Sequence, residues 1–243
     1  MEIFTQGYGA ILARWTHFLA GITWIGLLYY FNFVQTPSVA QFEPSARSEL
    51  TRKLAPRALW WFRWSALVTV LAGIALILIY EKQENWNVLV VTRPGPQGLP
   101  ILTGMGMAFI MLLNVWGVIW PNQKRIIANA ERTAAGGEAD PTVPDRTRRA
   151  GLASRTNVVL SIPMLFFMAT SAHLVSVQHL TFTGKWVYGL IAGAIVLLFE
   201  ANALVGKQGV TKKPLDTVNG AILTGFLLMV ALYGLFQGVE QIS

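Results

Sequence analysis

Long apolar blocks separated by shorter polar stretches set the pattern of this chain. Six blocks run approximately over residues 10–34, 59–80, 101–120, 156–177, 186–205 and 218–238. A helix rising 1.5 Å per residue needs about 20 apolar residues to cross roughly 30 Å of hydrocarbon, and each block supplies about that many. The blocks are continuous and lack the alternation of a lipid-facing strand, so they predict helices and not a barrel. The expected fold class is all-α: a polytopic membrane helix bundle with six transmembrane helices, forming a single membrane domain over residues 1–243. The first block is too long for a signal peptide, ends in Tyr29-Tyr30-Phe31-Asn32 and has no small-residue cleavage site, so it reads as a retained span.

Composition agrees with a membrane protein, at 53% hydrophobic and 13% charged residues. The net charge of +7 is informative through its placement. Of the 19 Lys and Arg residues, 15 lie in or beside the connections after the first, third and fifth blocks; only Arg14, Lys82, Arg93 and Lys185 fall on the other side. The positive-inside rule then places those three connections in the cytoplasm and both termini outside. Basic charge is accounted for by topology, and no nucleic acid partner is expected. The central cytoplasmic stretch, about 122–155 with AAGGEADPTVPD in its middle, reads as a flexible loop, and the outer stretch NVLVVTRPGPQG as a short strand followed by turns.

Two of the three histidines fall inside apolar blocks: His17 in the first and His173 in the fourth. A polar ring in hydrocarbon needs a partner and marks a candidate functional site. With the topology above, both rings lie in the outer half of the membrane, within about one helical turn of each other in depth. Two imidazoles on facing helices at one depth match the ligand set of a b-type haem. Two other readings share the same residues: an interhelical hydrogen bond donated by each ring to a backbone carbonyl or a hydroxyl, with Thr16, Thr170 and Ser171 near enough to serve, or another metal such as copper. Arg14 stands three residues before His17, one helical turn toward the outer surface, where a guanidinium suits the propionates of a haem. His179, near the outer interface, is a candidate alternative ligand, a propionate contact or an exposed loop residue. The chain has no cysteine, which excludes disulfides, thiolate metal sites and a covalently attached c-type haem.

Smaller signals remain. Glu200 lies about one turn from the cytoplasmic end of the fifth block, on a proton path or, more simply, snorkelling to water. Asn114 reads as interhelical glue and Gly189-x-x-x-Gly193 as a site of close helix approach. Pro163 should kink the fourth helix or free a carbonyl below His173. The nine tryptophans gather near span ends as an aromatic belt.

Four stretches carry a resemblance: RWTHFLAGITWIGLLYYFNFVQ (Arg14 to Gln35), ALWWFRWSAL (Ala58 to Leu67), NVWGVIWPNQKRI (Asn114 to Ile126) and ASRTNVVLSIPMLFFMATSAHL (Ala153 to Leu174). Together they resemble the membrane domain of the bacterial membrane-bound urate oxidase (urate hydroxylase) family. The resemblance implies a multi-pass protein of the bacterial inner membrane that passes electrons from urate toward a c-type cytochrome. This chain stops at Ser243 without a cysteine, so the cytochrome domain of that family is expected to be lacking. Two functions follow as expectations. One is a urate-oxidase-like redox protein with haem b on His17 and His173, delivering electrons to a separate cytochrome c or quinone. The other is a non-catalytic transmembrane subunit of a larger respiratory or photosynthetic complex.

Overall fold

A computed structural model describes residues 6–84, 98–171 and 181–242, with the side chains of 6–7 and 81–84 left aside. His173, His179 and nearly all of the outer stretch 87–98 lie outside the described residues. Among those described, every regular element is helical. Six helices are long and apolar enough to cross a bilayer: α1 (Tyr8–Val39), α2 (Pro44–Tyr80), α3 (Gly98–Ala134), α4 (Val143–Thr170), α5 (Phe182–Leu204) and α6 (Val218–Ile242).

Four of these helices extend well beyond the apolar blocks. α1 runs on to Val39, α2 starts at Pro44, α3 continues to Ala134 and α4 begins at Val143. Most of the stretch expected as a flexible loop, 122–155, is therefore helical. The reason lies in how prolines are accommodated. A proline in a helix loses its N–H and its ring presses on the carbonyl four residues back, so Pro37, Pro56 and Pro121 read as helix ends. Each instead follows a π-helical turn by two residues: Tyr30–Gln35 before Pro37, Leu50–Leu54 before Pro56, and Asn114–Ile119 before Pro121. The carbonyls four residues back, on Phe33, Arg52 and Gly117, all lie inside those wider turns. The helix thus passes the proline without stopping.

α4 is the hub. In its most apolar 18-residue window 61% of residues are buried, against 17–39% for the other five helices. α3, α5 and α6 pack around it, while α1 packs mainly on α2. Large side chains from several helices close the core, among them Trp24 and Leu28 on α1, Phe62 on α2, Met107 and Met111 on α3, Phe167 on α4, Tyr188 on α5 and Phe236 on α6. Pro163 sits buried inside α4. Its missing N–H leaves the Val159 carbonyl without its usual helical donor. Gly225 of α6 lies against that carbonyl so closely that a Cβ there would come within 2.9 Å of it and 2.6 Å of Ile162 Cδ1.

Polar contacts hold the end of the bundle that carries the basic connections. Arg148 on α4 pairs with Asp216 at 2.6 Å and donates to the Lys207 carbonyl at 3.0 Å. Lys212, 3% exposed, turns its ammonium onto the Asn202 and Val205 carbonyls at the C-terminal end of α5. A cation is well placed there, where helix carbonyls lack partners. Burial and the nearby Arg148 charge hold the Lys212 pKa below the usual lysine value.

Candidate functional site

His17 lies midway along the part of α1 that leans on α2. Its Nδ1 is 2.8 Å from the Thr69 carbonyl oxygen. A carbonyl can only accept, so Nδ1 carries the proton and donates it; the lone pair of the neutral ring then resides on Nε2. This arrangement of a histidine tied back to a backbone carbonyl is how ligating imidazoles are commonly oriented. Gly73, one turn along α2, makes room for the ring: a Cβ there would lie 3.1 Å from His17 Cε1 and 3.2 Å from Nδ1. Seven residues on and one stripe down the same α1 face, Trp24 is 1% exposed and its indole Nε1 has no partner among the described residues. A hydrogen-bond donor is thus left open inside the bundle on the face that carries His17.

Arg14 shares this face, as its spacing from His17 predicts. Its guanidinium donates to the Tyr80 hydroxyl on α2 and lies 5.3 Å from the centre of that ring. An arginine has five N–H donors, so this bond commits only one of them. The structure therefore brings Arg14 and His17 together along α2, a neighbour that sequence reasoning did not identify. Thr69 gave no signal because its contribution is a main-chain oxygen. Among the described residues, no three or more His, Asp or Glu side chains converge as a metal-ligating group.

The register between α1 and α4 is fixed farther along. The Tyr29 hydroxyl and Ser161 Oγ are 2.9 Å apart, Asn32 Nδ2 donates to Ser154 Oγ at 2.8 Å, and Arg155 Nε donates to Asn32 Oδ1 at 2.9 Å. Positions rise on α1 as they fall on α4, so the two helices run antiparallel. In the sequence His17 stands twelve residues before Tyr29 and His173, outside the described residues, twelve residues after Ser161.

A second polar centre joins α3, α4 and α5. Asn114 opens the π turn of α3 and spends its two amide hydrogens on Asn157 Oδ1 and Glu200 Oε2, each at 2.9 Å. Asn157 Nδ2 in turn donates to the Met111 carbonyl at 3.0 Å. Asn114 is interhelical glue, as its sequence setting suggests. Glu200 is half-buried, and its Oε2 accepts from Asn114. Asn157 went unnoticed in the sequence, although a buried asparagine midway along an apolar helix is itself a signal. Beside this centre Arg63 lies over Trp120, 3.8 Å from the ring centre, in the aromatic belt.

Between α3 and α5 an apolar groove of about 390 Å³ opens sideways, lined by Leu102, Thr103, Gly106, Tyr188, Gly189 and Gly193 among others. The Tyr188 hydroxyl and Thr103 Oγ1 lie 3.2 Å apart along it. Among the described residues nothing lies within 4 Å of where a Cβ would sit on Gly189 or Gly193, so none of them makes the close helix approach expected of this glycine pair.

The model of the urate oxidase N-terminal family matches residues 95–232, more than half of the chain. The match spans α3 to α6 and so includes His173, His179, Asn157 and Glu200, and begins after Arg14 and His17. No curated protein and no solved structure matches the chain.

Proposed function

The chain belongs to the urate oxidase N-terminal family, and from that premise we propose that it is a urate-oxidase-like membrane redox protein holding haem b between His17 and His173. The observation that carries this reading is the His17 Nδ1 bond to the Thr69 carbonyl, because it leaves Nε2 as a fixed, unprotonated ligand atom. The α1–α4 register supports it: Tyr29 of α1 meets Ser161 of α4, and in the sequence His17 and His173 each stand twelve residues from that rung. On this reading the two rings share one depth, where a shared iron needs them.

The residues present fit the group. Thr69 orients the imidazole, Gly73 admits it, and Trp24 offers an uncommitted donor on the same face. Arg14 can turn its remaining N–H groups to a propionate, and His179 is a further candidate contact near that surface. A bound haem would supply one-electron transfer between a donor, urate or a related compound, and an acceptor. The acceptor is a separate cytochrome or a quinone, and the groove between α3 and α5 suits the lipid-soluble choice, being apolar with two hydroxyls along it.

The test is a visible spectrum of the protein purified from cells supplied with haem. A Soret band with a reducible b-type spectrum is expected, and it should be lost in both His17→Ala and His173→Ala. A folded, colourless wild-type protein would sink the reading.

A further inference from the structure

The Asn114, Asn157 and Glu200 centre takes no part in the haem reading, yet it places a carboxyl inside a membrane helix bundle. An ionisable side chain at such a site needs a reason, because a lone charge is costly away from water. The usual reason is a counter-ion, yet among the described residues the carboxylates in ion pairs are Glu49, Asp145 and Asp216, not Glu200; Arg63 of α2, beside this centre, lies over Trp120. On α4, Arg155 is turned to Asn32 of α1, and Arg148 to Asp216 and Lys207. Lys212, in the α5–α6 connection, holds the carbonyls that end α5, and on α3 Lys124 lies over Trp120. Glu200 is given one neutral partner, Asn114, whose other amide hydrogen is fixed on Asn157. Asn157 is itself anchored to the Met111 carbonyl, so the amides are held in one orientation. The centre also sits where α3 opens into a π turn, a widening frequently found at functional sites. Glu200 lies one turn from the end of α5 and is partly exposed.

We propose that Glu200 is a proton-exchange site: its carboxylate takes a proton from water at the basic end of the bundle and returns it there, held meanwhile by Asn114. On uptake the carboxylate oxygen not facing Asn114 gains the proton and a hydronium becomes water; release is the reverse. No electron moves in either step. The proposal stands apart from the haem reading and can be tested on the protein with or without cofactor.

Dicyclohexylcarbodiimide tests it directly, since the reagent adds without loss of atoms to protonated carboxyls in apolar surroundings. Peptide mapping of the folded wild-type protein should find the adduct on Glu200, with labelling that falls as pH rises and is lost in Glu200→Gln. An infrared spectrum of the same sample supplies a second readout. A carboxyl C=O band should be absent in Glu200→Gln and displaced in Asn114→Leu, which removes the amide donor. No adduct on Glu200 at any pH in folded protein, or a labelling yield indifferent to pH, would overturn the proposal.

Discussion

At the scale of single residues, the decisive contacts are made by atoms that carry no side-chain identity. The His17 ring is set by a main-chain carbonyl at Thr69 and by the hydrogen that Gly73 has in place of a Cβ. Gly73→Ala should crowd the ring by only a few tenths of an ångström, whereas Gly73→Leu should displace it. The absorption band assigned to His17 ligation is therefore expected to survive the first change and weaken in the second, read at equal amounts of folded protein. Asn157 gives a stability prediction. Asn157→Leu removes a donor from the Met111 carbonyl and an acceptor from Asn114. Polar pairs between membrane helices contribute about 0.5–2 kcal/mol, so a loss of that order is expected in reversible unfolding in detergent or bicelles. The sequence announced His17, Arg14 and Asn114, because polar residues in apolar blocks stand out. It was silent on Thr69 and Gly73, since a backbone acceptor and a space for a ring leave no compositional mark.

Helices show where prolines and glycines decide packing. Pro37, Pro56 and Pro121 each follow a π turn that lets the helix continue. Length and apolarity located the spans correctly, but their ends could not be read because the π turn has no residue signature apart from the proline it precedes. Pro163 is accommodated differently, by a glycine on the facing helix. Gly225→Ala would bring a methyl within 2.9 Å of the Val159 carbonyl, an overpacking that costs about 1–3 kcal/mol. A lowered thermal midpoint is expected, and an unchanged one would show that α6 can shift without cost. The α3–α4 connection makes a pH prediction. Asp140 Oδ1 accepts from the Thr142 hydroxyl at 2.7 Å and the Thr142 N–H at 2.8 Å. These bonds hold the Asp140 pKa below the ordinary aspartate value of 3.8, with the Arg146 and Arg132 charges assisting. A lowered carboxyl pKa means that the stabilising contribution is complete above the ordinary value and is lost as pH falls through the lowered one. Hydroxyl-radical footprinting of residues 135–142 should thus be constant from neutral pH down to about 4 and rise below it, while Asp140→Ala shows the raised reactivity already at neutral pH.

For the whole molecule, charge placement and the helix bundle give a prediction about orientation. Because the chain has no cysteine, single introduced thiols report their side without background. Gly136→Cys, in the connection between α3 and α4, should react with a membrane-impermeant reagent only in inverted vesicles. Thr183→Cys, exposed at the start of α5, should react from the opposite side. The reverse pattern would invert the topology and place His17 at the cytoplasmic end. The bundle also shows why candidate ligands can be read from a sequence more readily than a substrate site. Depth follows from counting residues along helices, whereas a pocket depends on lateral packing, as the α3–α5 groove illustrates.

The central claim is that His17 and His173 hold one iron, and electron paramagnetic resonance of the ferric protein at low temperature addresses it most directly. A low-spin signal of bis-imidazole type is expected in the wild-type protein, replaced by a high-spin signal in His17→Ala and in His173→Ala taken singly. A low-spin signal that persists unchanged in either variant, or no haem signal in folded wild-type protein, would contradict it.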